Sequence, residues 1–135
     1  MQILIVGIGA LGGTIAARAI RAGLPVRLAA RNTDSAKALR RSGLRVSGIG
    51  GEVRADAIDV AAVEDYGKGD QFDVILLGIR AYAARNDVKT YNPRLLEYVR
   101  NGGTLIVQYQ TPEYDNNYGP FPYQQTRGTE ETADE

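Results

Sequence analysis

Three observations predict an α/β fold, with helices in layers on both faces of a parallel sheet and an irregular acidic C-terminal tail. Nearly pure apolar runs of strand length recur along the first 110 residues. Segments of helical periodicity lie between them, and Gly or Pro punctuates most of the boundaries.

The elements follow in order. Gln2 to Val6 (QILIV) is a β-branched apolar run stopped by Gly7, the pattern of a strand buried on both faces. Ala10 to Ala22 places Leu11, Ile15, Ala19 and Ala22 on one stripe, keeps Arg18 and Arg21 off it, and ends at Gly23, which predicts a helix. Pro25 to Ala30 is the second strand, and Thr33 or Asp34 caps a helix through Ala36 and Leu39 to Gly43. Leu44 to Ser47 and Glu52 to Ile58 flank Gly48-Ile49-Gly50-Gly51, which predicts a hairpin.

Val60 to Tyr66 is expected to be a weak helical segment before the turn Gly67-Lys68-Gly69-Asp70. Phe72 to Ile79 is the strongest strand signal and is expected to be central in the sheet. Pro93 to Arg100 has Pro at its first helical position and Asn101-Gly102-Gly103 beyond its end, a punctuated short helix. Thr104 to Tyr109 closes the series as the last strand.

Residues 1–110 are therefore expected to form one domain. From Thr111 the composition shifts to Pro112, Pro120 and Pro122 with Tyr114, Tyr118, Phe121 and Tyr123, a segment expected to pack along the sheet edge. Beyond about residue 124 the polar, acidic end has no periodicity and is expected to be disordered. Sixteen basic residues balance sixteen acidic ones overall, yet residues 1–110 carry fifteen basic against ten acidic, leaving the tail acidic.

The chain contains no His and no Cys. That excludes imidazole bases, Ser-His-Asp triads, histidine zinc sites, thiol nucleophiles and disulfides. Chemistry is left to carboxylates, Arg, hydroxyls, three Lys and whatever a bound cofactor supplies. No apolar run is long enough for a membrane helix and no secretory signal opens the chain, so a cytoplasmic location without membrane contact is expected.

Gly7-Ile8-Gly9-Ala10-Leu11-Gly12 is a G-x-G-x-x-G turn between the first strand and the first helix. In a Rossmann-like fold Gly7 permits the sharp exit, Gly9 lets a pyrophosphate approach the backbone, and Gly12 lets helix and strand pack closely. The helix N-terminus adds unpaired N–H groups and a positive dipole end. The competing reading is a turn whose glycines serve structure alone.

The residue ending the second strand faces the adenosine ribose in such folds. Here that strand ends Ala29-Ala30-Arg31-Asn32, with no acidic residue until Asp34. A guanidinium binds two phosphate oxygens at once, so Arg31 points to the 2′-phosphate of NADP(H). A solvated surface arginine is the alternative.

MQILIVGIGALGGTIAARAIRAGLPVRLAARN, the Gly-rich hairpin and FDVILLGIRAY together resemble the N-terminal domain of the ketopantoate reductase (2-dehydropantoate 2-reductase) family over about residues 1–83. The resemblance implies a Rossmann domain that binds NADP(H) and hydride transfer to a 2-keto acid. By position it assigns cofactor contacts to Gly7, Ile8, Gly9, Ala10, Leu11, Gly12 and Arg31. Arg80 stands where the family usually has Lys, so a charge-holding role is implied rather than proton donation.

The strand end Gln108-Tyr109-Gln110 departs from the family's Gln-Asn-Gly-like turn. The family's catalytic Lys and its acidic partner lie in a helical C-terminal domain outside this chain. The resemblance therefore implies an NADP-dependent oxidoreductase domain that holds cofactor and depends on a missing substrate domain, or a homodimer partner, for turnover.

Residues 78–123 are also similar to an α/β segment of large PIG-L-type deacetylase proteins, which implies architecture without the histidine-dependent zinc chemistry. Arg80, Arg85, Lys89, Arg94 and Arg100, interleaved with Tyr82, Tyr91 and Tyr98, offer a nucleic-acid surface or a solvated helix face. Asp87 and Glu97 interrupt the stretch and favour the second, so no nucleic-acid partner is expected. Glu64, Asp65, Asp70 and Asp73 suit a solvated loop better than a metal cage, and no metal site is expected. The remaining alternative function is a non-catalytic interaction or oligomerisation module.

Overall fold

Leu4 and Val6 face one side of the first strand and Ile5 the other, and two separate apolar clusters grow from that alternation. The computed structural model describes residues 1–48, 50–67, 69–110, 114 and 117–121. In chain order the elements are β1 (Ile3–Val6), α1 (Ala10–Arg21), β2 (Val26–Ala30), α2 (Thr33–Ser42), β3 (Leu44–Gly48), β4 (Gly51–Ala55) and β5 (Asp59–Ala62). A 3-10 turn (Val63–Asp65), β6 (Val74–Leu77), α3 (Ala81–Ala84), α4 (Asn86–Arg100) and β7 (Thr104–Val107) follow.

Five strands pair in the order β5-β2-β1-β6-β7, every pair parallel. Within this sheet that is third, second, first, fourth, fifth, the doubly wound Rossmann order, and the direction of winding reverses between β1 and β6. One cluster unites Ile5, Leu28 and Val60 with Ala16 and Ala17 of α1 and Ala36 of α2. The other unites Leu4, Val6, Ile75 and Leu77 with Tyr82 and Val88 from α3 and α4. Helix, sheet and helix therefore make three layers. The β3–β4 hairpin is antiparallel and packs against α1.

Helix stops read from the sequence behave as chemistry requires. Leu24 N–H donates to Ala19 O and Gly23 N–H to Ile20 O, with Gly23 at φ +79°. The same paired bonds run from Gly103 to Tyr98 and from Gly102 to Val99. Both are Schellman endings, which need a left-handed residue just past the helix.

Several expectations need correction. Residues 59–62 form an edge strand on β2, where a helical segment was expected from Val60. Four residues are too few for periodicity to speak, and burial of Val60 and Ala62 beside the open edge of β2 decides the outcome. Pro93 lies inside α4, which starts seven residues earlier at Asn86. The proline forfeits a helical N–H bond, and burial of Val88 and Asn92 holds the preceding turns in place. Asn32, rather than Thr33 or Asp34, caps α2, its Oδ1 accepting the Ser35 N–H at 2.8 Å.

The phenylalanine-led strand is interior, between β1 and β7, while β1 takes the centre. Tyr114 and Tyr118 pack on Tyr82 within the cluster that also takes in Leu105 and Val107 of the edge strand β7. Ile49, Lys68, Pro112, Pro122, Tyr123 and the tail expected to be disordered lie outside the described residues. Among the described residues no helix is long and apolar enough to cross a membrane.

Candidate functional site

At the carboxyl ends of β1, β2 and β6 the reversal of winding opens a cleft of about 510 Å³. Open parallel sheets bind ligands at this place, because neighbouring crossovers leave to opposite faces there. Its lining runs from Gly7, Ile8, Gly9, Ala10, Leu11 and Gly12 through Ala29, Ala30 and Arg31 to Ser35 and Leu39. Ile79, Ala81, Ala84 and Arg85 complete the lining, with Gly7 packed against Gly78 and near Ala81.

The three glycines of the turn answer to different demands. Gly7 has φ +91°, a conformation that L side chains avoid. A Cβ on Gly12 would collide with the Gly7 carbonyl oxygen, so strand and helix meet there only without a side chain. Gly9 has φ −84°, and a Cβ on it would meet no atom within 4 Å. Neither backbone conformation nor packing demands glycine at that position. What its bare backbone provides is room in the cleft.

Helix α1 begins at this turn with no side-chain cap and no acidic residue in its first turn. Helix α2, in contrast, carries both the Asn32 cap and Asp34. No side-chain cap and no acidic side chain of the first turn therefore competes for the amides that open α1, and Gly9, Ala10, Leu11 and Gly12 line the cleft.

Arg31 is exposed at the end of β2 and lines the cleft. Arg80 is exposed as well, with φ 54° and ψ 28°, the single non-glycine left-handed residue among those described. Its N–H donates to Tyr109 O at 2.9 Å, and the cleft lining passes from Ile79 to Ala81 without it. The buried side chain of Gln110 secures the same turn, donating to Gly78 O at 2.9 Å and accepting the Tyr82 N–H at 3.2 Å. Gly78 is constrained too, since a Cβ there would stand 2.6 Å from the Gly7 carbonyl oxygen.

Arg85 is the lining residue that the sequence reading grouped elsewhere, in the basic stretch. Its guanidinium is 8% exposed, paired through Nε and Nη2 with both carboxylate oxygens of Asp87, and donates from Nη1 to Ala29 O at 3.1 Å. The available signal was Asp87 two residues on, matching the carboxylate to a neighbouring guanidinium. The rest of the stretch disperses, with Arg94 donating to Tyr66 O and Lys89 lying over the Tyr118 ring.

The clustered carboxylates also separate. Asp65 accepts the Ala62 N–H, Asp70 holds Arg27 and the Gly67 N–H, and Asp73 accepts the Gln2 N–H.

The sequence profile of the ketopantoate reductase PanE/ApbA family matches residues 3–103. The chain belongs to this family. The match runs past the expected limit at residue 83 and takes in α4.

No curated protein matches the chain. Among solved structures, this family member is similar to D-mandelate dehydrogenase in a ternary complex with NADH and anilino(oxo)acetate, with a TM-score of 0.62 and 20% identity over 81% of this chain and 33% of that one. A candidate 2-dehydropantoate 2-reductase from Enterococcus faecalis aligns at TM-score 0.61 and 19% identity, over 89% and 38% of the two chains. A candidate ketopantoate reductase from Ralstonia solanacearum aligns at TM-score 0.60 and 25% identity, over 92% and 37%. The chain thus spans about a third of the length of the structures it resembles.

Proposed function

We propose that this chain binds NADP(H) as the cofactor domain of a ketopantoate reductase-like oxidoreductase. Gly9 carries the reading. It is a glycine that neither conformation nor packing requires, at the lip of a cleft where a Cβ would take up ligand space. The purely structural reading accounts for Gly7 and Gly12 and offers for Gly9 only its N-cap position, which serine or asparagine would fill as well.

In this reading Gly7, Ile8, Gly9, Ala10, Leu11 and Gly12 receive the pyrophosphate with the amides that open α1. Arg31 takes the 2′-phosphate, and Arg80 holds charge near the cofactor's phosphates. Residues 1–110 form the cofactor domain, and residues 111–135 a following segment that contributes Tyr114 and Tyr118 to its core. The cofactor supplies the hydride, and the protein fixes its position and surroundings. Transfer to a 2-keto acid is completed by a substrate domain or a second copy. The likeness of residues 78–123 to PIG-L-type segments adds to the architecture and brings no zinc chemistry.

Ile106, Tyr109 and Phe121 are exposed apolar side chains and favour a second reading, an interaction module. One experiment separates the two. Titrating NADPH while following nicotinamide fluorescence and melting temperature should show saturable binding, with stabilisation of about 2.7 kcal/mol once free ligand reaches a hundred times Kd. Absence of both signals with NADPH and NADH overturns the proposal and leaves the interaction module.

A further inference from the structure

Arg80 holds φ 54° and ψ 28°, a conformation that a residue with a side chain keeps only where its surroundings impose it. Gln110 supplies that constraint. It lies just past the last strand, is 5% exposed, and spends its amide on backbone groups. Nε2 donates to Gly78 O at 2.9 Å and to Gln108 O at 2.8 Å, while Oε1 accepts the Tyr82 N–H at 3.2 Å.

These bonds straddle the left-handed residue. Gly78 stands two positions before Arg80 and Tyr82 two after it, and the Arg80 N–H donates to Tyr109 O, the residue next to Gln110. One side chain with a donor and an acceptor thus clamps both flanks of the turn between β6 and α3.

The glycine turn rests on that clamped turn. Gly78 N–H donates to Val6 O at 2.8 Å, and a Cβ on Gly78 would stand 2.6 Å from Gly7 O. Ile79 and Ala81, on either side of Arg80, line the cleft together with Gly7, whereas Gln110 is not part of the lining.

From this contact we infer that Gln110 is a positioning residue for the cleft: it acts by holding Arg80 left-handed, which keeps the turn after β6 seated on Gly7. The inference rests on the cofactor reading above and goes beyond it in giving ligand binding a determinant outside the cleft lining.

The test titrates NADPH and NADH into the whole chain as wild type, Gln110→Met, Gln110→Asn and Asp70→Asn, each held well below its melting temperature. Gln110→Met keeps the side-chain length but loses the donor and the amide acceptor, so it should weaken both dinucleotides by the same factor, about tenfold. Gln110→Asn keeps the amide one methylene short, should weaken both in parallel, and decides the matter if the Met variant fails to fold. Asp70→Asn, at the opposite end of the sheet, should lower the melting temperature and leave both affinities unchanged, which separates positioning from lost stability. Glycine adopts the left-handed conformation freely, so the affinity penalty of Gln110→Met should shrink when it is measured in an Arg80→Gly background. Unchanged affinity in a folded Gln110 variant, or a penalty undiminished in the Arg80→Gly background, overturns the inference and leaves the cofactor reading standing. If wild type binds neither dinucleotide, both fall.

Discussion

The carbonyl oxygen of Gly7 lies where a side chain on Gly12 would have to be. The strand and the helix it launches are therefore in backbone contact at the mouth of the cleft. Gly12→Ala should force them apart and cost about 2–3 kcal/mol, a typical overpacking penalty. Gly9→Ser should leave stability unchanged or slightly raised, since serine caps a helix at that position, and should nonetheless weaken NADPH binding. Urea melts paired with NADPH titrations of the two variants check this. The same pattern of loss in both would contradict the separate roles given to the two glycines.

Arg31 should set the preference between the two dinucleotides. Arg31→Asp places a carboxylate where the 2′-phosphate is proposed to lie and should reverse the preference toward NADH, with NADPH weakened by about a hundredfold. The wild-type advantage for NADPH should also shrink as salt rises, because Arg31 is exposed and screening acts on it directly. Competition between the two cofactors at low and high salt measures both effects.

Tyr82 joins the core to the segment beyond the last strand. Its hydroxyl donates to Asn92 Oδ1 at 2.6 Å, Asn92 Nδ2 donates to Tyr118 O at 3.2 Å, and its ring lies 4.8 Å from that of Tyr114. Tyr82→Phe leaves a buried amide oxygen short of a donor and should cost about 1–2 kcal/mol. Tyr114→Ala removes a buried ring and should cost roughly 3 kcal/mol. Unfolding free energies of the two variants decide, and a neutral Tyr114→Ala would show that the segment contributes nothing to the core.

Acid should weaken the sheet's amino-terminal edge through Asp70. The Gly67 N–H and then the Arg27 guanidinium stabilise its carboxylate and hold its pKa below the ordinary 3.8. A lowered folded-state pKa contributes stability above the unfolded value and loses it as pH falls through the folded one. Wild type should therefore exceed Asp70→Asn in stability near neutral pH, and the gap should close below about pH 4. A gap that stays constant down to acid unfolding would remove Asp70 from the account.

Much of the frame was legible because its signals are local. Gly23 and Gly102 end helices through bonds made within six residues, and Gln2 to Val6 reads as a buried strand from its own composition. The glycine turn is legible for the same reason, since its strand, turn and helix are contiguous. Arg31 could be found by counting from the second strand. Arg85 could not, because its place in the cleft depends on α3 bringing it to the carbonyl of Ala29, fifty-six residues earlier.

Composition, periodicity and punctuation, which act over a turn or a strand at a time, were enough to specify an α/β sheet opened by a phosphate-type turn. They could not specify the strand at residues 59–62, the position of Pro93 inside α4, or the seating of Tyr114 on Tyr82. Each of those is settled by burial against a surface that exists only when distant segments have met: the open edge of β2, the pocket around Val88 and Asn92, and the face above Leu77. Local preference is worth tenths of a kcal/mol per residue, and burying a large side chain is worth about 1.5–3, so where the two disagree the assembled core prevails.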